Sequence, residues 1–348
     1  MPADRPVAVV TGASAGVGRA TARALAQAGF DVALLARGAA GLAAAAKEVE
    51  QAGGRPLAVP TDVAAWEEVD AAASRAEQEL GPIAVWVNDA MTTAFAWFRD
   101  VRPEEFKRAT EVTYLGQVHG TLAALERMRP RDRGRVVNVG SALAFVGIPL
   151  QSAYCGAKFA CRGFSESVRA ELLAEGSNVT ISMVHLPAVN TPQFEWCLSR
   201  LPRHPQPVPP IYQPEVCAEF IVEAALGGRR AKVVGSWNKL IVAGAKLAPG
   251  VLSHYAAKSG VSSQQTGEAP RADRPSNLFE PADAGDDPGA RGTFGDRAGG
   301  VLDRQFLRSL PETGRHLAAA ATATAREELA RRGRRRRRPA ARRRARST

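Results

Sequence analysis

Three side chains between residues 141 and 158 have the chemical types needed to exchange a proton with a substrate oxygen. Tyr154 and Lys158 are four residues apart, so in a helix they lie on one face. A free phenol has a pKa of about 10, and a cation one turn away favours its ionised form. The hydroxyl of Ser141 can hold a substrate oxygen beside the phenol. We therefore interpret Ser141, Tyr154 and Lys158 as candidate catalytic residues.

The neighbouring sequence predicts the elements that position these side chains. Residues 135–140 form a β-branched run that is typical of a buried strand, and residues 152–174 predict a helix. Ser141 then follows the strand, while Tyr154 and Lys158 lie near the start of the helix. A Tyr-x-x-x-Lys pair is common by chance on surface helices. Its interpretation therefore depends on the sequence that precedes it.

A glycine-rich segment, T-G-A-S-A-G-V-G at residues 11–18, lies between a predicted strand (6–10) and a predicted helix (19–28). Such a junction brings backbone N–H groups and the positive end of a helix dipole to one point, which suits a pyrophosphate. The alternative is a glycine-rich turn without a ligand. The candidate cofactor-binding residues of this segment are Gly12, Ser14, Gly16, Val17 and Gly18.

Together, these motifs resemble those of the short-chain dehydrogenase/reductase family over roughly residues 5–245. The resemblance implies an NAD(P)-binding Rossmann fold, an α/β domain with a doubly wound, mainly parallel sheet of about seven strands. It also implies that Tyr154 exchanges the proton, that Ser141 holds the reacting oxygen, and that Lys158 lowers the phenol's pKa and binds the nicotinamide ribose. The cofactor contacts that it carries over are Asp62, Val63, Asn88, Tyr154, Lys158 and Thr191.

The chain departs from the family pattern at three places. Met91 ends an Asn-Asp-Ala-Met segment where the family has Asn-Asn-Ala-Gly, and Thr113 aligns with the Asn of the family's proton relay. Pro187-Ala188 replaces a Pro-Gly pair. These departures keep a second hypothesis open, a cofactor-binding scaffold or sensor with little turnover.

The end of the second predicted strand (31–37) indicates which dinucleotide is bound. Folds that prefer NAD tend to carry an acid there, which accepts a hydrogen bond from the ribose 2′-hydroxyl. This chain has Ala36 and Arg37 instead, and a guanidinium pairs well with a 2′-phosphate. We therefore expect NADP rather than NAD, the alternative being that Arg37 only lies over the adenine. By resemblance, Asp62 is expected to accept a hydrogen bond from the adenine amino group; the alternative, which is compatible with it, is that Asp62 caps the next helix.

The net positive charge of the chain comes from its C-terminus. The formal net charge is +11, and the segment 331–348 contains eleven Arg and no acid. Such a tail can bind nucleic acid or an anionic membrane through its charge alone. It contains no aromatic residue for base stacking, so a solvated tail is the favoured interpretation.

Several simpler expectations follow from the sequence. The four Cys have no CxxC spacing, the five His are far apart, and the first strand begins by residue 6. These features predict reduced thiols, no metal site and a cytoplasmic location. By resemblance, the helix predicted over 104–128 and the helix with Tyr154 pack across a subunit interface, which predicts a homo-oligomer.

The predicted domain organisation is a catalytic domain (1–245), a Gly/Pro-rich extension (246–300) and an Ala/Arg-rich, disordered tail (301–348). The substrate is expected to be a small carbonyl compound or alcohol. By resemblance, residues 190–214 form the loop that closes over it, and the apolar pocket would include Phe194, Trp196, Leu198, Leu201, Leu143, Phe145 and Tyr212. The alternative for this loop is simple packing. Residues 262–300 are expected to be extended or disordered, with Leu278, Phe279 and Phe294 as anchors.

Overall fold

Seven parallel strands form the central sheet of the computed structural model, which describes residues 5–227, 231–271 and 273–299. The strands are β1 (Val7–Thr11), β2 (Asp31–Ala36), β3 (Pro56–Pro60), β4 (Ile83–Asn88), β5 (Arg135–Ser141), β6 (Thr180–Leu186) and β7 (Ala231–Val233). Their order is β7-β6-β5-β4-β1-β2-β3. The predicted doubly wound α/β fold is confirmed, and the order reverses between β1 and β4, where such folds bind ligands.

Ten helices connect and cover these strands in the described part of the chain. They are α1 (Gly16–Gln27), α2 (Ala39–Gln51), α3 (Trp66–Glu79), α4 (Pro103–Thr110), α5 (Gly116–Met128), α6 (Ser152–Ala174), α7 (Gln193–Trp196), α8 (Pro214–Ala225), α9 (Ser236–Leu247) and α10 (Pro249–Ser259). Within these described residues, no helix has the length and apolar character that crossing a bilayer requires.

The sheet is buried on both faces because its strands are apolar throughout. In β1, Ala8 and Val10 pack with α1, α2 and α8, while Val7 and Val9 pack with α3, α5 and α6. This arrangement follows from the alternation of side chains along a strand. Both faces therefore hold β1 firmly, and its carboxyl end, where the glycine-rich segment begins, has a fixed position.

Local backbone geometry sets the limits of two further elements. The sixth strand begins only at Thr180, because Gly176 has a φ of 67° and ends the preceding helix in a turn. The carboxylate of Asp132 accepts hydrogen bonds from Ser177 and Asn178 and holds that turn. The helix predicted over 104–128 contains a π-helical turn, Glu111–Leu115, between α4 and α5.

The segment after the central sheet is folded against the domain. Helices α9 and α10 follow one another in the chain and are in contact, and α9 begins at Ser236. Residues 262–271 and 273–299 are mostly irregular, with Leu278 and Phe294 buried and Phe279 half exposed. The tail, residues 301–348, lies outside the described residues, and the domain boundaries remain predictions.

Candidate active site

The three candidate catalytic side chains line one cavity of about 570 Å³. Ser141 is the last residue of β5, and Tyr154 and Lys158 lie on the first two turns of α6. The Lys158 ammonium is almost fully buried, lies 5.7 Å from the centre of the Tyr154 ring, and donates to the Val139 carbonyl at 2.8 Å. The structure therefore brings together the phenol, the cation and the hydroxyl that were identified from their spacing.

The environment of Tyr154 acts on its acidity in two directions. Burial of the phenol raises the pKa of Tyr154 above its usual value, while the Lys158 ammonium and the Ser141 hydroxyl act to lower it. The sequence led us to expect a lowered pKa, and the net direction is the opposite because desolvation disfavours the phenolate. In this environment the protonated phenol is the stable form, which suits a proton donor to a carbonyl.

The glycine-rich segment forms the floor of the same cavity. Gly12 has a φ of 71°, and a Cβ there would lie 2.9 Å from the Cα of Ala90, so the turn requires glycine. A Cβ at Gly18 would lie 2.3 Å from the Gly12 carbonyl oxygen. Gly12, Ser14, Gly16 and Val17 line the cavity, whereas Gly18 lies behind the turn. The N-terminus of α1, where the Gly16 N–H donates to the Gly289 carbonyl at 3.3 Å, is the kind of position that holds the pyrophosphate of a dinucleotide.

Four of the other predicted cofactor residues lie at the cavity wall. Val63 and Thr191 line the cavity, as do Arg37 and Asp62. Asp62 accepts from the Ala64 backbone N–H at 3.0 Å and pairs with Arg108, but the N-cap of α3 is Ala65 and no side chain caps this helix, so the predicted cap by Asp62 is wrong. The Arg37 guanidinium donates to the carbonyl oxygens of Asn277 and Phe279.

Asn88 does not reach the cavity with its side chain. Its amide nitrogen donates to Asn138 at 2.8 Å, and its amide oxygen accepts from the Trp86 indole at 2.8 Å. Asn138 in turn donates to Ser165 of α6 at 2.9 Å. We call these three hydrogen-bonded residues, Asn88, Asn138 and Ser165, the amide network. It is buried and links β4, β5 and α6 directly behind the candidate catalytic residues.

Thr113, which aligns with the relay Asn of the family, is fully buried in the π-helical turn. Its hydroxyl accepts from the Thr92 backbone N–H at 3.0 Å and donates to the Thr92 carbonyl at 2.8 Å. The hydroxyl therefore acts as both donor and acceptor towards Thr92, and these two hydrogen bonds hold the segment that follows β4. The Lys158 ammonium makes its hydrogen bond to Val139 instead.

The predicted apolar pocket is only partly composed of the expected residues. Leu143, Phe194 and Trp196 line the cavity; Leu198, Leu201, Phe145 and Tyr212 do not. Leu201 packs in a separate cluster, and Phe145 lies against His185. Further apolar residues that line the cavity come from α9 and α10; they are Trp237, Ile241, Leu252, Tyr255 and Ala256. Sequence reasoning missed these residues because they lie beyond the family motifs; their aromatic and aliphatic character was the available signal.

Asp89 adds a carboxylate behind the glycine-rich turn. It is half-buried, and its backbone N–H donates to the Thr11 hydroxyl at 3.0 Å. Burial raises the pKa of Asp89 to about 7, although the Lys158 ammonium and a hydrogen bond from the Gly18 N–H act to lower it. The corresponding residue of the family motif is Asn, which has no such charge to desolvate.

We expect Asp89→Asn to remove a loss of stability that the wild-type protein suffers between about pH 5 and 8. Because the folded-state pKa lies above the unfolded value of about 3.9, stability is highest at low pH and falls as the pH rises towards 7. The loss from this group is about 4 kcal/mol of unfolding free energy in all, of which about 3 kcal/mol falls above pH 5. Urea unfolding of both proteins at pH 5, 6, 7 and 8 measures it; parallel curves for the two proteins would contradict the assignment.

Comparisons with known proteins agree with this geometry. The family model described as "short chain dehydrogenase" matches residues 6–197, which include the glycine-rich segment and Ser141, Tyr154 and Lys158. Among solved structures, an alcohol dehydrogenase from the archaeon Thermococcus sibiricus complexed with 5-hydroxy-NADP is 26% identical, with a TM-score of 0.55. That similarity covers 66% of this chain and 95% of the archaeal one.

Two curated relatives extend the comparison. An uncharacterized oxidoreductase of Bacillus subtilis (strain 168), YxnA, is 35% identical over 292 residues, which is 82% of this chain and 80% of the relative. Because residues 1–245 make up less than 82% of this chain, the matched region must include part of the segment beyond residue 245. A 3-dehydrosphinganine reductase of Danio rerio is 32% identical over 228 residues, 63% of this chain and 68% of that protein. The fold, the site and these matches show that this chain is an oxidoreductase that belongs to the short-chain dehydrogenase family.

Proposed function

We propose that this protein transfers a hydride between NADP(H) and the carbonyl or alcohol group of a small, apolar substrate. The observation that carries the proposal is the convergence of Ser141, Tyr154 and Lys158 on the cavity whose other end is the glycine-rich segment. NADP is favoured over NAD because Arg37 directly follows the second strand, where an acid would otherwise lie.

The residues present fit a dinucleotide along the length of the cavity. Glycines form the close turn at one end, and Lys158 and Tyr154 lie at the other. When bound, the nicotinamide supplies the hydride acceptor or donor. Ser141 and Tyr154 hold the substrate oxygen between them, and the Tyr154 hydroxyl gives its proton to that oxygen when a carbonyl is reduced. The Lys158 ammonium stabilises the phenolate that remains.

The apolar end of the cavity supports an apolar substrate. Phe194 and Trp196 come from the segment after β6, and Trp237, Ile241 and Leu252 come from α9 and α10. Because a pocket lined by such side chains gains affinity from buried apolar area, ketones and aldehydes with longer alkyl chains are the better candidates.

The experiment that tests the proposal is oxidation of NADPH, followed by absorbance, with ketones and aldehydes of graded chain length. The expected result is turnover that improves with chain length, measured as kcat/KM. Tight NADPH binding without turnover of any carbonyl or alcohol in the series would favour the scaffold hypothesis. That hypothesis has one supporting observation, because the Met91 side chain lines the cavity where the family has glycine.

Thr113→Val should lower stability and leave turnover almost unchanged. Val is close to Thr in shape but leaves the buried N–H and carbonyl of Thr92 without the hydroxyl, which costs about 1–3 kcal/mol of unfolding free energy. Urea unfolding and kcat, measured on the same preparation, separate the two effects. A drop in kcat of tenfold or more with an unchanged unfolding free energy would mean that the hydroxyl belongs to the proton relay.

A further inference from the structure

Residues 277–289, which we call the C-terminal strap, cross the end of the cavity that lies beside Arg37. Arg37 donates to the carbonyls of Asn277 and Phe279, and Arg108 donates to the Leu278 carbonyl at 3.1 Å. The Leu278 side chain is fully buried. The strap is therefore anchored at its start on side chains of the catalytic domain.

The far end of the strap is anchored on the glycine-rich segment itself. The Gly16 backbone N–H donates to the Gly289 carbonyl at 3.3 Å, and Asp287 pairs with Arg19, which is almost fully buried. Arg19 also pairs with Glu48 of α2 at 2.8 Å. Between these two anchors, the strap passes over the junction of β1, β2 and α2.

Asp283 lies in the middle of the strap and is one of the residues that line the cavity. The residue is only 7% exposed, and its Oδ2 has no hydrogen-bond partner among the described residues. Buried carboxylates are ordinarily paired, so a carboxylate with an unpartnered oxygen in a residue that lines a ligand cavity indicates a missing partner.

Two glycines make room for this carboxylate. A Cβ at Gly38 would lie 1.8 Å from the Asp283 Oδ1, and a Cβ at Gly41 would lie 2.5 Å from the Oδ2. The Gly41 site is also next to Ser14 of the glycine-rich segment. The carboxylate thus lies between the glycine-rich segment and the first turn of α2, directly after the end of β2.

That position is the one in which dinucleotide-binding folds hold the ribose of the adenosine moiety. An acid near the end of the second strand accepts a hydrogen bond from the 2′-hydroxyl in many such folds. Here β2 ends in Ala36, and the carboxylate comes from a residue about 250 positions later in the chain. A carboxylate accepts from a hydroxyl and repels a phosphate, whereas the guanidinium of Arg37 attracts a phosphate.

We propose that Asp283 is a specificity-determining residue of the adenosine-ribose subsite, where it accepts a hydrogen bond from the 2′-hydroxyl of NAD and opposes the 2′-phosphate of NADP. Arg37 and Asp283 then act in opposite directions on the preference between the two dinucleotides. NADP binds through Arg37 against the repulsion of Asp283. The inference rests on the proposed function only in that a nicotinamide dinucleotide occupies this cavity.

The test is the ratio of dissociation constants for NADPH and NADH, measured by fluorescence titration of the full chain. Asp283→Asn should tighten NADPH binding by at least about tenfold and weaken NADH binding by a few-fold. Asp286→Asn is the matched control, because Asp286 is exposed in the same strap. It should change neither constant by more than about twofold.

A second pair of probes keeps the test independent of the nicotinamide. The fragments 2′,5′-ADP and 5′-ADP differ only at the phosphate in question, and Asp283→Asn should shift their ratio in the same direction. Asp283→Ser provides the same comparison if the Asn variant does not fold, as judged by its thermal unfolding.

The outcomes of this binding test can be distinguished from those of the test of the proposed function. Equal changes for NADPH and NADH, or an unchanged ratio in Asp283→Asn and Asp283→Ser, would overturn the role of Asp283. Failure of every variant to bind either dinucleotide would overturn both proposals. Binding with the expected shift in ratio but no carbonyl reduction would overturn the proposed reaction and leave the role of Asp283 supported.

Discussion

Tyr154→Phe should lower kcat by about 10²- to 10⁴-fold, the usual contribution of general acid–base catalysis. The substitution removes the hydroxyl and keeps the ring that lies beside the Lys158 ammonium. Because the glycine-rich segment and the strap are untouched, the dissociation constant of NADPH should change little. Steady-state kinetics and fluorescence titration of the same variant measure the two quantities.

The matched control for this experiment is Tyr114→Phe. Tyr114 packs against Phe164 in an edge-to-face arrangement and does not line the cavity. It should therefore keep wild-type turnover. Turnover of Tyr154→Phe at the wild-type rate would refute the assignment of Tyr154 as the proton donor, whereas loss of turnover in both variants would point to a general effect on folding.

Glu105→Gln should lower the unfolding free energy at pH 7 by about 3 kcal/mol. Glu105 is fully buried and accepts from the Arg102 backbone N–H at 2.9 Å and from Arg200 at 2.8 Å. Burial alone would raise the pKa of Glu105, but the hydrogen bonds from Arg200 and Arg102 hold it at about 2. Gln keeps the shape and loses the charge that these arginines pair with.

The lowered pKa of Glu105 determines how the unfolding free energy changes with pH. The folded-state pKa lies below the unfolded value of about 4.3, so the stabilisation is complete above about pH 5 and is lost as the pH falls towards 2. The difference in unfolding free energy between wild type and variant should shrink over that range. Glu104→Gln is the control, because Glu104 is exposed and pairs only with Arg102 at 3.3 Å. A difference that stays constant with pH would contradict the ion-pair explanation.

The central fold and the three candidate catalytic residues could be predicted from the sequence because the motifs that indicate them are local. A strand, a glycine turn and a helix follow one another within residues 7–27, and Tyr154 and Lys158 are one helical turn apart. The order of these motifs fixed the topology, since parallel strands joined by helices place their carboxyl ends together. The structure then placed all three catalytic candidates on one cavity.

The contributions of the C-terminal segment were not accessible in the same way. Asp283 is one acid among several in a Gly- and Pro-rich stretch, and its composition indicates only an irregular segment. Its position beside Gly38 and Gly41 depends on contacts between residues that are about 240 positions apart. Trp237 and Leu252 line the cavity for the same long-range reason. The opposite case is Asn88, which the motif assigned to the cofactor and the structure places in the core.

The amide network has a consequence for the accuracy with which the catalytic groups are aligned. Asn138 lies three residues before Ser141, and Ser165 lies two helical turns after Lys158, so the hydrogen bond between them ties the strand to the helix. Apolar packing tolerates small shifts, whereas a slip of β5 by one residue would turn Asn138 to the opposite face. The Asn138 amide would then lose its hydrogen bonds to Asn88 and Ser165 in a dry interior. The register of Ser141 against Tyr154 is thus set by directional hydrogen bonds rather than by shape alone.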